Sequence, residues 1–179
     1  MKKIIIAAAV ALMGIAVNAA TVNWSVNAVQ NSPDNTVGAG WIVQIFDSSV
    51  TYDYTKAVSG DISAWVSGTT VAAGTTFRAA GSTTMDNGTS KSIYMVIYDA
   101  TSIASADNYI VSDVMTITAN AAGSPVSSGF GSMIATTAAA NKFLNSSWTA
   151  VPSESVPEPT SGLLLLLGMA GLALRRKQA

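Results

Sequence analysis

Residues 92–100 read SIYMVIYDA, and Ile93, Tyr94, Met95, Val96, Ile97 and Tyr98 follow one another without a polar break. β-Branched and aromatic residues suit the pleated, extended chain, so the run predicts a strand. A strand with one wet face alternates apolar and polar residues; an unbroken run reads as a strand inside the protein. Its surroundings repeat the theme. In TVNWSVNAV (21–29), Val22, Trp24, Val26 and Ala28 share one side and Asn23, Ser25 and Asn27 the other, the period-two pattern of a half-buried strand. WIVQIFD (41–47) is more continuously apolar and reads as another central strand.

Turn signals separate these runs. QNSPDNTVGAG (30–40) is a loop marked by Pro and Asn, and Asp86-Asn87-Gly88 within STTMDNGTSK has the residue types of a tight hairpin turn. TTVAAGTTFRAAG (69–81) predicts one or two short strands broken at Gly74. In YIVSDVMTITA (109–119), Val111, Asp113, Met115 and Ile117 oppose Ile110, Ser112, Val114 and Thr116 along one strand. TSIASADN (101–108) reads as a helical turn or loop, and NAAGSPVSSGFGS (120–132) as a loop. Between Val50 and Gly68, VTYDY could be a short strand, while Ile62, Trp65 and Val66 carry helical spacing after a candidate cap, Asp61; a short helix or turn is the favoured reading. MIATTAAANKFLNSSWTAV (133–151) fits an Ala-rich helix or a returning strand equally. The expected fold is therefore mainly β, an antiparallel β-sandwich or jelly-roll-like domain.

Both ends of the chain differ from this middle. MKKIIIAAAVALMGIAVNAA has two lysines, an apolar stretch from Ile4 to Val17 and small residues at its close. That is the plan of a secretory signal peptide over residues 1–19, with signal peptidase cutting between Ala19 and Ala20. The exported domain then spans residues 20–155. It holds nine acidic residues against Lys56, Arg78, Lys91 and Lys142, a formal balance of minus five. Nucleic acid is not an expected partner, because phosphate binding requires clustered cations. The chain has no cysteine and no histidine, so thiol chemistry, disulfides and a Ser-His-acid triad fall away.

The chain ends VPEPTSGLLLLLGMAGLALRRKQA (156–179). The apolar stretch from Gly162 to Leu174 would cover about 20 Å as a helix, short of the roughly 30 Å of bilayer hydrocarbon unless Arg175, Arg176 and Lys177 snorkel. Those three basic residues would stay on the cytoplasmic side. Pro157 and Pro159 keep the chain around Glu158 extended just outside the membrane. This order of motif, short transmembrane helix and basic stop resembles the PEP-CTERM sorting signal of Gram-negative bacteria, over residues 156–179 alone. The resemblance implies an exosortase that recognises Pro157-Glu158-Pro159 and removes the helix, leaving the domain at the cell surface or in the extracellular matrix. It also brings exopolysaccharide in as a partner.

Within the domain the candidate chemistry is sparse. A glycan-acting enzyme would need two carboxylates about 5–9 Å apart, and Asp47, Asp53, Asp99, Asp107 and Asp113 stand where turn-capping acceptors are wanted. The favoured expectation is a non-enzymatic structural component, with a carbohydrate-binding module as the alternative and a small paired-carboxylate enzyme behind it. Tyr52 and Tyr54, alternating with polar residues near a turn, are the candidate glycan contacts. No cofactor is expected. DNGT (86–89) and NSPDN (31–35) offer oxygens but not the spacing of a calcium loop, so a calcium site would need separate loops.

Overall fold

The structure, a computed structural model, describes residues 19–29, 38–73 and 76–152. The expected signal segment before Ala19, residues 30–37, 74 and 75, and the C-terminal segment with its expected transmembrane helix lie outside them. Among the described residues no helix is long and apolar enough to cross a membrane.

Two sheets make up the domain. The smaller has the order β4 (Ala79–Asp86), β1 (Ala19–Asn27), β8 (Val126–Ser132). The larger runs β3 (Val66–Thr70), β2 (Ile42–Asp47), β5 (Ser90–Tyr98), β6 (Asn108–Val111), β9 (Thr149–Ala150), with β7 (Met115–Thr118) also paired to β5. Val22, Trp24 and Val26 of β1, Val43 and Ile45 of β2, Ile93, Met95 and Ile97 of β5 and Phe130 of β8 meet in one core between the layers.

The apolar run of β5 is explained by its second face. Tyr94, Val96 and Tyr98 point away from the first core and form a second one with Phe46 and Ala106. Its cover is the segment from Val50 to Ala64, which carries α1 (Tyr54–Ser59), together with a 3-10 turn at Ile103–Ser105. Burying a large apolar side chain contributes roughly 1.5–3 kcal/mol, so this thin outer layer gains most of its hold from what it lays on the sheet.

Several expectations need correction. The fold is mainly β with almost no helix, and the larger sheet is antiparallel as expected, but the smaller one is mixed, because β1 and β8 run parallel. β8 itself falls in the Gly- and Ser-rich stretch expected to be a loop. It carries one extra residue: Ser25 faces Gly129 and Val26 faces Gly131, so Phe130 turns into the core. Asp86-Asn87-Gly88 does make a tight turn, with Gly88 at φ +71° and the Thr89 amide donating to the Asp86 carbonyl at 3.1 Å. It joins no hairpin, since β4 belongs to one sheet and β5 to the other.

The helix lies earlier than expected. Asp53, not Asp61, caps it, with its carboxylate accepting from the Lys56 amide at 3.1 Å, and Gly60 closes it at φ +83°. The strand expected over 109–119 is interrupted at Ser112–Val114. There the Ser112 hydroxyl takes over an acceptor role, receiving the Met95 amide at 2.9 Å. The inward row shifts by one residue across the break, from Ile110 and Ser112 to Met115 and Ile117, and Val114 is left exposed. Residues 133–148 form neither a long helix nor a strand. Turns wrap Asn141, 3% exposed, whose amide donates to the carbonyls of Met133 and Ala135 and whose oxygen accepts from the Phe143 amide. Ala28, expected on the inward row of β1, lies past the strand's end at φ 52°.

The two chain ends leave the domain at opposite ends. Ala19 opens β1 beside Ser90 and Lys91, at the start of β5. β9 pairs with Asn108 and Tyr109, and Tyr109 faces Tyr98, at the end of β5. Nine residues of strand separate these points, about 30 Å.

Candidate functional site

The acidic residues are placed first by their local duties. Asp47 ends β2, accepts from the Ser49 amide at 2.9 Å and pairs with Lys91 of the neighbouring β5. The Lys91 ammonium and then the Ser49 donors hold its carboxyl well below the usual carboxylate range. Asp53 is the helix cap, and the Thr55 hydroxyl followed by the Lys56 amide lowers its pKa. Asp99 closes the turn between β5 and β6, accepting from the amides of Asp107 and Asn108 and from the Asn108 side chain. The Asp113 amide donates to the Lys142 carbonyl at 2.7 Å, fastening the β6–β7 break to the 133–148 turns. Among the described residues, no three acids gather into a metal-ligand set.

Tyr52 and Tyr54 are half-buried members of the second core. The Tyr52 ring lies edge-on to Phe46 at 5.7 Å and tilted to Tyr109 at 5.0 Å, and Tyr54 stacks on Tyr109 at 5.9 Å. The Tyr54 hydroxyl donates to the Ile103 carbonyl at 2.8 Å. All five tyrosines of the chain belong to this cluster, whereas Trp24, Trp41, Trp65 and Trp148 all pack on the first core. A phenol suits a thin outer layer: the ring is buried and the hydroxyl reaches a partner near the surface. Burial pushes Tyr52, Tyr98 and Tyr54 above the ordinary phenol value, and pushes Tyr94 up to about 12.

An opening in the described surface lies elsewhere, where β1 begins. Trp65, Thr84, Asp86, Ser90 and Lys91 line a groove of about 380 Å³ with Ala19 at its rim. The Lys91 ammonium sits 5.6 Å over the Trp65 ring. An indole beside a carboxylate, an ammonium and hydroxyls is a setting that a sugar or another polyhydroxylated group can enter. Nothing in the sequence pointed to it, because its walls come from four separate segments, at residue 19, residue 65, residues 84–86 and residues 89–91. A smaller opening of about 180 Å³ lies on the outer face of the small sheet among Asn23, Ser25, Arg78 and Ser127.

The expected signal-cleavage pair, Ala19 and Ala20, falls inside β1. Pro157, Glu158, Pro159, Arg175, Arg176 and Lys177 lie outside the described residues, and here comparison with known proteins is informative. Residues 155–177 match the PEP-CTERM protein-sorting motif, a span that takes in all six. The motif marks an exported protein, transiently anchored in the membrane and targeted to an exosortase. No curated protein and no solved structure matches the chain.

Proposed function

We propose that the protein is a non-enzymatic component of the cell surface or extracellular matrix, delivered there by signal peptidase and then exosortase. The observation that carries this reading is the sorting motif over residues 155–177. Support against a glycan-acting enzyme comes from the acids, since Asp47, Asp53 and Asp99 are each engaged by a neighbouring turn, cap or cation. Mass spectrometry of the protein from its native host tests the route: the surface form should lack residues 1–19 and end near Pro157–Thr160. Recovery of intact Arg175-Arg176-Lys177 on most of the surface pool overturns it.

A second reading, contact with exopolysaccharide, is favoured by the Trp65 groove, whose volume and mixed lining suit a sugar ring. Tyr52 and Tyr54 contribute to it less readily, because their rings and hydroxyls are committed within the fold. A glycan array with wild type and Trp65→Ala discriminates. Binding lost in the variant supports the module, and a blank array with both leaves the structural role alone.

A further inference from the structure

The expected signal-peptidase cut falls in an unusual place. Ala19 pairs with Asp86 and Ala20 with Met85 across the antiparallel β1–β4 ladder, and Ala20 is 0% exposed. β1 is the middle strand of its sheet, held by β4 on one flank and β8 on the other. Proteases act on exposed chain that can leave its partners, and a bond inside a paired strand with a buried residue on one side is not such a substrate. The order of the strands supplies an interval when it is: β4 starts at Ala79 and β8 at Val126, so β1 emerges first and has no partner until β4 has followed it across the membrane.

We propose that the Ala19–Ala20 bond is cut only before β1 takes its place between β4 and β8, and that the ammonium group so created on Ala20 docks in the groove against Asp86. The proposal rests on the cut assigned above. Hydrolysis adds water across the peptide bond, leaving a carboxylate on the departing Ala19 and an ammonium on Ala20. The charges around the groove leave a place for it. Lys91 of β5 is paired with Asp47 of β2, while Asp86 of β4 is in no ion pair among the described residues. Ala19 is the cross-strand partner of Asp86, which puts the Ala20 nitrogen within reach of its carboxylate. The mature chain thus gains a cation where the precursor has a neutral peptide, and β1 is tethered at the end that cleavage would otherwise leave to fray.

The experiment has three readouts. N-terminal sequencing of the protein from its native host should begin at Ala20; another start overturns both the assigned cut and this proposal. Purified full-length precursor in detergent micelles is then given to signal peptidase, once folded and once unfolded in urea and diluted at the moment of assay. Cleavage at least ten-fold slower for the folded form is expected, and equal rates overturn the proposal while leaving the cut itself intact. Finally, the α-amino group of the mature protein is titrated by NMR. Its pKa should lie above the usual value of about 7.7–8.0 and fall back toward it in Asp86→Asn. The same pKa in both proteins overturns the docking.

Discussion

The Tyr52 hydroxyl donates to the Tyr98 hydroxyl at 3.0 Å, and Tyr98 passes the chain on to the Gln44 side-chain oxygen at 2.8 Å. This relay fastens the covering segment to the centre of the large sheet. Tyr98→Phe removes its middle link and leaves the Gln44 oxygen and the Tyr52 hydroxyl seeking partners in a partly buried place. A loss of about 1–3 kcal/mol is expected, read from the midpoint of urea unfolding. Tyr52→Phe, which removes only the outermost donor, should cost less. The reverse ranking would mean that the relay is not what holds the layer.

High pH should attack the same layer. An unfolded tyrosine ionises near pH 10, whereas burial and then the Asp47 charge push Tyr94 up to about 12. For a pKa raised by folding, the stabilisation is whole below the unfolded value and disappears as pH climbs through the folded one. Base-induced unfolding between about pH 10 and 12 is therefore expected, with tyrosinate absorbance and loss of sheet circular dichroism rising together. A Tyr94 that titrates near 10 in a domain still fully folded would contradict its burial in this layer.

Tryptophan fluorescence gives a view of the first core, because Trp24, Trp41, Trp65 and Trp148 all pack on it. Asn141→Ala tests what holds the 133–148 turns to that core. It removes two donors and one acceptor from a residue 3% exposed, leaving the Met133 and Ala135 carbonyls and the Phe143 amide without it. A loss of about 2–3 kcal/mol is expected. Faster amide exchange should be confined to residues 133–143, and a change spread evenly over the domain would count against this role.

Among the described residues, Gly131 is the least replaceable glycine. Its φ is +82°, and an added Cβ would run into the carbonyl of Ala140, which is backbone and cannot swing aside. Gly131→Ala should cost at least about 2 kcal/mol in thermal or urea unfolding. Gly60→Ala, at φ +83° with open space around it, should cost only about 1 kcal/mol. Equal losses would show that the backbone angle, and not the Ala140 contact, sets the penalty.

The residues differ in how openly they declared their places. β1 and β5 were legible because their composition reports burial directly: Val22, Trp24 and Val26 alternate with polar neighbours, and Ile93 to Tyr98 do not alternate at all. The Asp86–Gly88 turn was legible as a conformation, but backbone angles say nothing about which sheet the next strand joins. β8 was hidden because Gly129 and Gly131 serve a register shift and look, in sequence, like loop residues. The break at Ser112–Val114 depends on one side-chain hydroxyl reaching across to Met95, a tertiary event with no local mark. The sorting motif was readable in full because all of its parts are contiguous. The Trp65 groove was not, because its parts are brought together only by folding.

The parallel pairing of β1 with β8 has a mechanical meaning. Pulled apart by its ends, the domain would first give up β9, held by two residue pairs, and then the turns after β8. From that point the load passes from the start of β1 to the end of β8. These strands lie side by side and point the same way, so their hydrogen bonds from Val22 to Asn27 would be strained all at once in shear and could not open one by one like a zipper. A protein fixed to a surface by one end and tugged at the other would meet its greatest resistance at this seam.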